Sequence, residues 1–441
     1  MRCCGSMSCL RTGKRAAPEA MNTIVVGGGL LGLSTAYHLL QRGVRVTVVD
    51  AAPHSAAGAS RANGGLLTPS MSDPWNAPGV ALHLLRWIGR PDAPLLLRRQ
   101  GLRGGSLRWL YRFLRASAPE RYRANTLKNL RLAQYSMTAL RELRAESGID
   151  YGEVRYGTAK LFRDPRAFAL AGRASGMLVA NGVTVRVLDR AATIDLEPAL
   201  EPIEPHVAGA LHFPDDEVGD ARRFCEALAT ELGRRGCSLR FGVALERWKH
   251  ARGRLSGIET IEGFLEADSI VLAAGVHTAP LARSLGVDVP VAPAKGYSIS
   301  VPLKQWAPQP QLGVIDDELH AAATPLGDVL RVAGTAEFAG FDASIRPERV
   351  ENLRRLVEAV YPQAASVVRS TDVQAWAGLR PMSCDGVPIL GRTSIENLFV
   401  NTGHGHLGWT MAAGSGRVVA DLITRGASDL DASEYALARF G

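Results

Sequence analysis

The chain has 441 residues, of which 46% are hydrophobic, so it can bury a sizeable core and is long enough for two domains. No apolar run reaches the roughly eighteen residues that a membrane-spanning helix needs, which excludes a helical integral membrane protein. The net charge of +8 is moderate and favours anionic surfaces, but no segment indicates a nucleic-acid partner. The six cysteines lack zinc-site spacing and a chain of this length needs no disulfide framework, so we expect no metal site and a cytoplasmic protein.

The N-terminal segment differs from the rest of the chain. It contains basic residues but no apolar stretch of the kind that a secretory signal requires. Strand-like patterning begins only at Met21. We therefore expect residues 1–20 to form a disordered extension that precedes the fold.

The first predicted unit is a strand, a glycine-rich turn, a helix and a second strand. Residues 23–26 have the pattern of a buried strand, residues 33–41 keep helical spacing, and residues 44–50 form the second strand. The turn has the spacing G-x-G-x-x-G, and Asp50 follows eighteen residues after its last glycine. Helix N–H groups would hold phosphate charge and Asp50 would accept hydrogen bonds from ribose hydroxyls, so the unit predicts a dinucleotide site.

Each glycine of that turn has a steric role. Gly27 allows the tight turn, Gly29 lets the backbone approach a pyrophosphate, and Gly32 packs the helix on the strand. Gly28 lies between them and is expected to line the same site.

Three later segments favour FAD over NAD as the dinucleotide. Residues 59–65 form a small-residue loop that could lie against the ribityl chain and the flavin. Residues 267–275 form a strand ending in Ala-Gly that can return beside the first unit. Residues 398–416 form a strand, a Gly/His loop and a small-residue helix, which is a second glycine-rich helix start. Each loop alone could be an ordinary connection, but together they predict one large cofactor held from both ends of the chain.

The expected cofactor-binding residues come from these segments. They are Gly27, Gly28, Gly29, Gly32, Asp50, Ser60, Asn63, Gly64, Gly65, Gly275, Gly403, His404, Gly405, Leu407 and Gly408.

Residues 79–116 combine leucines and tryptophans with eight arginines and a single acid, Asp92. Such basic amphipathic stretches can lie on an anionic bilayer with tryptophan at the interface. They can equally form helices that pack on the body of the protein and leave arginine in solvent. Both interpretations stay open on the sequence.

A long helix follows this stretch. Residues 117–120 resemble a capping box, and the apolar residues beyond them keep helical spacing as far as Gly148. The later pattern has one helix near 165–181 and another at 347–360, with short strand runs between residues 290 and 346. Such runs suit a large antiparallel sheet.

The predicted fold is therefore α/β, with a Rossmann-type FAD-binding domain that is split in sequence and an inserted antiparallel-sheet substrate domain. The FAD-binding domain is assigned to residues 21–149, 206–285 and 371–441. The substrate domain is assigned to residues 150–205 and 286–370.

Several segments carry a resemblance to flavoproteins of the D-amino-acid oxidase and glycine oxidase type, and among these to bacterial D-amino-acid dehydrogenases. The segments are 24–29, 70–79, 294–298, 378–382, 401–405 and 407–411, and the resemblance covers roughly residues 21–438. It implies noncovalent FAD and oxidation of a D-amino acid to an imino acid, which water converts to a 2-oxo acid and ammonia. It also implies that electrons pass to a membrane quinone rather than to oxygen, from a position peripheral to the inner membrane.

The resemblance implies catalytic roles for two residues. In glycine oxidase-like relatives the arginine of Gly-Leu-Arg-Pro grips the substrate carboxylate, a role that falls on Arg380 here. A planar guanidinium fits a carboxylate bidentately, although a structural ion pair is the alternative. Tyr297 could donate its phenol O–H to the same carboxylate.

His404 is not expected to act as a base, because hydride transfer from a neutral amine needs none. The loop around His404 and the helix from about Leu407 are instead expected to stabilise negative charge on the reduced flavin.

Some residues depart from the pattern of the resembled family. His406 stands where threonine is expected, and Met71 and Leu319 stand where aromatic residues are common. These departures leave the substrate open between D-amino acids and cyclic or secondary amines such as D-proline, hydroxy-D-proline or sarcosine-like compounds. Cys384 is similar to the cysteine of relatives with a covalent flavin, but it lies past the matching position. A flavin-binding redox subunit without turnover is the alternative from another functional class.

Overall fold

The computed structural model describes residues 21–87, 95–98, 106–251, 253–370 and 372–441. The expected disordered extension and parts of the basic stretch therefore lie outside the described residues. Among the described helices, none combines the length and the apolar character needed to cross a bilayer.

The described strands are β1 (Asn22–Val26), β2 (Arg45–Asp50), β3 (Leu66–Leu67), β4 (Leu95–Leu97), β5 (Thr158–Phe162), β6 (Arg186–Leu188), β7 (Gly209–Phe213), β8 (Glu217–Val218), β9 (Ser238–Phe241), β10 (Leu245–Ala251), β11 (Arg254–Thr260), β12 (Gly263–Glu266), β13 (Ser269–Leu272), β14 (Val291–Pro302), β15 (Gly313–Asp316), β16 (Ala321–Leu326), β17 (Val329–Phe338), β18 (Gln374–Ser383), β19 (Ile389–Arg392) and β20 (Leu398–Thr402). The described helices are α1 (Leu30–Gln41), α2 (Val80–Trp87), α3 (Ser106–Ala116), α4 (Pro119–Ser147), α5 (Pro165–Ala174), α6 (Gly176–Ala180), α7 (Arg190–Leu196), α8 (Ala221–Arg234), α9 (Thr278–Arg283), α10 (Pro347–Val360), α11 (Ala365–Val368) and α12 (Gly408–Thr424).

One sheet gathers the segments from both ends of the chain that were predicted to bind a dinucleotide. Its six strands have the order β19-β20-β13-β1-β2-β9, and β1 lies parallel to both β2 and β13. The C-terminal strand β20 is parallel to β13, so the loop after it opens at the same edge as the first glycine-rich turn. The predicted return of the strand near residue 270 beside the first unit is confirmed.

Helices α1, α4, α8 and α12 share the hydrophobic core that covers this sheet. The α1–α12 contact is close because Gly416 has no side chain: a Cβ there would lie 2.6 Å from the carbonyl carbon of Ser34. The small residues of the C-terminal helix therefore serve helix packing.

The second large sheet has nine strands, in the order β18-β14-β17-β16-β15-β5-β7-β6, with β4 beside β17. Most neighbours are antiparallel, as predicted, but the β5–β15 and β4–β17 pairs are parallel. Helix α10 packs on this sheet through Leu353 and Val357. The two sheets enclose the cavity described below.

The structure corrects the sequence interpretation at two strands and at one helix start. Strands β7 and β18 belong to the nine-stranded sheet, although their residues were assigned to the FAD-binding domain. A strand's partners are distant in sequence, so its own pattern does not reveal which sheet it joins. The capping box is also wrong: Ala118 caps α4 without a side-chain bond, and the Ser117 hydroxyl donates to the Leu114 carbonyl.

Candidate active site

A cavity of about 1520 Å³ lies between the two sheets. At one end it is lined by the turn after β1 and by Asp50, and at the other by Arg380 and His406. The loop at residues 57–66, the end of β13 and the middle of β14 and β18 form the walls between them. The sequence segments predicted to hold a dinucleotide thus face one continuous space.

The first glycine-rich turn has no room for side chains. Gly27 has φ +122°, and a Cβ there would lie 2.4 Å from the Ala273 carbonyl oxygen. A Cβ on Gly32 would lie 1.8 Å from the Gly27 carbonyl oxygen, so this glycine lets α1 begin directly over β1. The first turn of α1 carries no acidic residue, which leaves its N-terminus suited to an anion.

Asp50 is held in place by backbone N–H groups. Its Oδ2 accepts from Gly28 N at 2.6 Å and its Oδ1 accepts from Ala52 N at 2.8 Å. Each carboxylate oxygen has a further lone pair, and Asp50 lines the cavity, so it remains able to accept from ribose hydroxyls.

The predicted small-residue loop lies between the two sheets. Ser60 Oγ accepts a long hydrogen bond of 3.4 Å from Leu30 N at the start of α1. The Asn63 side chain accepts from Gly65 N at 2.9 Å, so it shapes the loop itself. Gly64 and Gly65 lie against the nine-stranded sheet, where Gly65 has φ +73°.

Two side chains that the sequence interpretation missed tie this loop to the nine-stranded sheet. Ser298 donates its hydroxyl to the Ala62 carbonyl at 2.7 Å, and Arg331 donates to the Asn63 carbonyl at 3.0 Å. The Arg331 guanidinium also donates to Ser300 Oγ, and burial lowers its pKa. Only the pairing of distant strands brings these residues to the loop, so no local signal marks them.

At the other end of the cavity, three glycines adopt left-handed backbone conformations. Gly275, Gly403 and Gly405 have φ of +56°, +82° and +57°. Thr402 Oγ1 donates to the Gly275 carbonyl at 3.0 Å and joins the two loops. A 3-10 turn over Gly405–Leu407 then leads into α12, which begins at Gly408. Gly275, Gly405 and Gly408 line the cavity, so the start of α12 lies at this end, whereas the predicted Gly403 and Leu407 do not line it.

His404 is buried and neutral in this loop. Its Nε2 lies 2.7 Å from Ser415 Oγ, while its Nδ1 has no hydrogen-bond partner among the described residues. Burial lowers the pKa of His404 to about 3. An imidazole with so low a pKa binds a proton only weakly at neutral pH, which favours the interpretation that His404 is not the proton acceptor.

Arg380 lies flat across the neighbouring strand β14. It pairs in register with Ala294, and its guanidinium covers the next inward-facing position, Gly296. A Cβ on Gly296 would lie 1.9 Å from Arg380 Nη1, so only glycine leaves room for this conformation.

The Arg380 guanidinium has no anionic partner among the described residues. Its Nη1 is buried without a hydrogen-bond partner, and its Cζ lies 5.5 Å from the centre of the Trp75 ring. Burial lowers the pKa of Arg380 to about 10, which still leaves the group charged at neutral pH. The alternative of a structural ion pair for Arg380 is therefore wrong within the described part of the chain.

Tyr297 does not join Arg380. It follows Gly296 in β14, and successive side chains of a strand point to opposite faces. Its side chain is fully buried, and its hydroxyl donates to Glu337 Oε2 at 3.3 Å. Tyr297 is among the residues that line the cavity, but its hydroxyl is engaged with Glu337, which disfavours the expected contact between the phenol and the substrate carboxylate.

Tyr297 belongs instead to a buried ionic cluster centred on Glu337, which we call the Glu337 cluster. Four cationic side chains surround the Glu337 carboxylate, at N–O distances of 3.3 to 3.6 Å: Arg98, Lys295, Arg346 and Arg349. Asp342 supplies a second carboxylate, 3.2 Å from Lys295 Nζ. Glu337, Lys295 and Arg349 are completely buried.

His406 and Met71 line the cavity near Arg380. The His406 ring stacks on Trp75, with ring centres 5.6 Å apart and planes inclined by 18°. Leu319 is partly exposed and its side chain is not part of the cavity wall. Cys384 is buried in a hydrophobic cluster and does not line the cavity, and burial raises the pKa of its thiol to about 12.

Helix α3, which lies in the basic stretch, has one buried and one exposed face. Trp109 and Phe113 of α3 are buried, and Trp109 Nε1 donates to the Met382 carbonyl at 3.0 Å. Leu107 and Tyr111 are 63% and 64% exposed on the opposite face. The expectation of tryptophan at a membrane interface is thus wrong for Trp109, although an exposed apolar face remains.

Comparison with known proteins shows the family to which the chain belongs. A sequence model of the family DAO, described as "FAD dependent oxidoreductase", matches residues 22–422. The D-amino acid dehydrogenase of Methylobacterium nodulans is 42% identical over 421 residues, which cover 95% of this chain and 99% of that protein. The D-amino acid dehydrogenase of Cereibacter sphaeroides is 39% identical over 420 residues, which cover 95% of each.

Solved structures show the same fold. Glycine oxidase from Geobacillus kaustophilus superposes with a TM-score of 0.75 at 23% identity, over 95% of this chain and 99% of that chain. L-proline dehydrogenase from P. horikoshii gives a TM-score of 0.73 at 19% identity, over 96% and 98%. At such identities the likeness concerns the fold alone.

Proposed function

Because the chain belongs to the DAO family of FAD-dependent oxidoreductases, we propose that it oxidises D-amino acids whose carboxylate binds to Arg380. The observation that carries this proposal is the unpaired guanidinium at the end of the cavity. A cation held inside a cavity without a counter-ion is costly unless a ligand neutralises it. The names of the relatives at about 40% identity supply the stereochemical class.

The glycine turn and the carboxylate at one end of the cavity are chemically suited to FAD. The turn at Gly27 and the N-terminus of α1 would hold the pyrophosphate, and Asp50 would hold the adenosine ribose. The loop at residues 59–65 would lie against the ribityl chain. FAD, when bound, supplies the hydride acceptor for the reaction. The backbone N–H groups near Gly405 and the N-terminus of α12 would stabilise negative charge at that end of the cavity.

The reaction that follows is an oxidative deamination. The amino acid, with its amino group uncharged, loses its Cα hydrogen together with two electrons as a hydride. Its nitrogen loses a proton, which leaves an imino acid. Water then adds to the imine carbon, and ammonia leaves to give the 2-oxo acid. Arg380 contributes by fixing the carboxylate and therefore the direction of the Cα–H bond.

We propose further that the electrons pass to a quinone or another acceptor than oxygen, at the cytoplasmic surface of a membrane. The support is the exposed face of α3, where Leu107 and Tyr111 lie beside Arg108, which is 69% exposed although it forms a surface ion pair of 3.4 Å with Asp288. Apolar side chains next to a basic one suit an anionic bilayer. Reduction of a soluble quinone analogue faster than oxygen uptake, together with sedimentation on anionic vesicles, would support this part. Rapid oxygen uptake without vesicle binding would contradict it.

The experiment that tests the main proposal is anaerobic mixing of the purified holoprotein with single amino acids. D-Alanine, D-proline, hydroxy-D-proline, sarcosine and L-alanine would be compared by loss of the visible absorption of the oxidised flavin. We expect D-alanine to bleach the flavin and L-alanine to leave it oxidised. Bleaching only by D-proline or sarcosine would move the substrate to secondary amines, and no bleaching by any compound would refute the oxidation of amino acids.

A further inference from the structure

His406 forms one contiguous group with Trp75 and Arg380 at the end of the cavity. The imidazole stacks on the indole of Trp75, and the Arg380 Cζ lies 5.5 Å from the centre of the same indole. All three residues line the cavity, and the His406 side chain is exposed to it. A ligand held by the guanidinium would therefore lie next to the imidazole.

The two ring nitrogens of His406 have different roles. Nε2 lies 3.3 Å from the Met71 carbonyl oxygen, and a carbonyl can only accept, so Nε2 carries the hydrogen. Nδ1 is then the acceptor of the neutral ring, and it has no hydrogen-bond partner among the described residues. Enclosure by the cavity walls and the nearby positive charge of Arg380 lower the pKa of His406, which agrees with a neutral ring.

We propose that Nδ1 of His406 accepts a hydrogen bond from the α-amino group of the substrate whose carboxylate lies on Arg380. This inference rests on the proposed function, because it assigns a second contact to the same substrate. The amino group must be neutral to react, and a neutral amine offers N–H donors that lose water when the substrate enters the cavity. A cation beside Arg380 would repel a protonated amine, whereas a neutral acceptor binds the reactive form.

The contact orients the substrate about the axis that Arg380 alone leaves free. A carboxylate on a guanidinium can still rotate about the bond to Cα. A second hydrogen bond from the nitrogen fixes that rotation and with it the position of the Cα hydrogen. His406 is therefore assigned to substrate binding, and it is not assigned the role of a base.

Two substitutions in the holoenzyme separate the acceptor from the stacked ring. His406→Phe keeps an aromatic ring against Trp75 and removes the acceptor, while His406→Asn keeps an acceptor near the Nδ1 position and removes the ring. D-Alanine affinity would be measured from the concentration dependence of anaerobic flavin reduction. Affinity for propionate, which has the carboxylate but no amine, would be measured from the shift of the flavin spectrum.

We expect His406→Phe to weaken D-alanine binding by about ten-fold, the usual effect of one hydrogen bond to a buried group, and to leave propionate binding unchanged. His406→Asn should retain D-alanine binding within roughly three-fold of the wild type on the same argument. If the phenylalanine variant does not fold, His406→Ala removes the acceptor without adding volume and serves in its place.

Other results overturn the inference. Equal weakening of D-alanine and propionate would show that His406 only supports the position of Arg380. Unchanged D-alanine binding in the phenylalanine variant would show that the amine does not contact Nδ1. These outcomes differ from failure of the proposed function itself, in which the wild-type flavin is not reduced by D-alanine although propionate still binds.

Discussion

Cationic side chains lie on both faces of strand β14, and the two faces differ in whether the described residues supply an anionic partner. On the face toward the cavity, the Arg380 guanidinium covers Gly296 and has no anionic partner among the described residues. On the other face, Lys295 and Tyr297 pack around the Glu337 carboxylate in a fully buried cluster. Burial alone therefore does not identify a binding residue. The difference lies in whether the structure already supplies the counter-charge or leaves it to a ligand.

This comparison also explains why adjacent residues differ in role. Gly296 gives the guanidinium its place, while the next residue, Tyr297, points into the Glu337 cluster. The following predictions test whether the two faces are as separate as their geometry indicates.

The largest effect is expected from Glu337→Gln. It removes the central carboxylate from four cationic side chains, two of them completely buried, and should lower the free energy of unfolding by about 3–5 kcal/mol. Denaturant unfolding would measure the change, with Asp328→Asn as control because Asp328 forms an exposed ion pair with Lys304. A cost no greater than that of the control would contradict the structural role of the Glu337 cluster.

A second buried carboxylate, Asp216, has hydroxyl partners in place of cations. Ser70 Oγ and Thr158 Oγ1 each lie 2.6 Å from its Oδ2, and burial raises the pKa of Asp216 to about 7. Between about pH 4 and 7 the folded state keeps a proton that the unfolded state loses, so the wild type loses stability as pH rises. Asp216→Asn should gain roughly 2–3 kcal/mol relative to the wild type between pH 5 and 8. Urea unfolding of both proteins at pH 5 and at pH 8 measures this gain. A stability difference between variant and wild type that is the same at the two pH values would contradict the raised pKa.

Gly296→Ala should disturb the cavity face alone. The new Cβ would lie 1.9 Å from Arg380 Nη1, so the guanidinium must move away from the strand. We expect the KM for D-alanine to rise at least about ten-fold, since a charge-assisted contact is worth about 1.5–3 kcal/mol, with flavin content unchanged. Gly233→Ala in α8 is the matched control, because a Cβ there meets no atom within 4 Å. An unchanged KM in the Gly296 variant would show that the carboxylate binds elsewhere.

The smallest effect is expected from Tyr297→Phe. The variant loses one hydrogen bond of 3.3 Å to Glu337, which should cost about 0.5–1.5 kcal/mol of stability. The KM for D-alanine should stay within about two-fold, because the phenol does not reach Arg380. Thermal unfolding and steady-state kinetics of the same preparation would distinguish the two effects. A strongly raised KM with unchanged stability would place Tyr297 in the substrate site after all.

The nucleotide end of the fold could be predicted from sequence because its signals are local. The turn from Gly27 to Gly32 and the acid at Asp50 lie within one strand-helix-strand unit, and their spacing alone indicates the site. The return of β13 and β20 to the sheet that contains β1 follows from buried apolar runs that end in glycine. These features need no knowledge of distant partners.

The substrate end could be predicted only in part. The resemblance placed a carboxylate-binding role on Arg380, but it gave no sign that Gly296 makes room for the guanidinium. Alternation along β14 separates Gly296 from Tyr297, yet the sequence does not tell which face meets the cavity. The contact of His406 with Trp75 joins segments more than three hundred residues apart, and no local pattern encodes it.

The central claim is that Arg380 awaits a carboxylate, and the most direct measurement compares carboxylate binding by wild type, Arg380→Lys and Arg380→Ala holoenzymes. Propionate affinity would be followed by the flavin spectrum and D-alanine affinity by anaerobic flavin reduction. The loss of a bidentate charged contact is worth about 1.5–3 kcal/mol, so both affinities should fall by about ten-fold to over a hundred-fold in the alanine variant. The affinities of the lysine variant should lie between those of the wild type and the alanine variant, because lysine keeps the charge but lacks the planar guanidinium. Wild-type affinities in an alanine variant that retains its flavin would contradict the account.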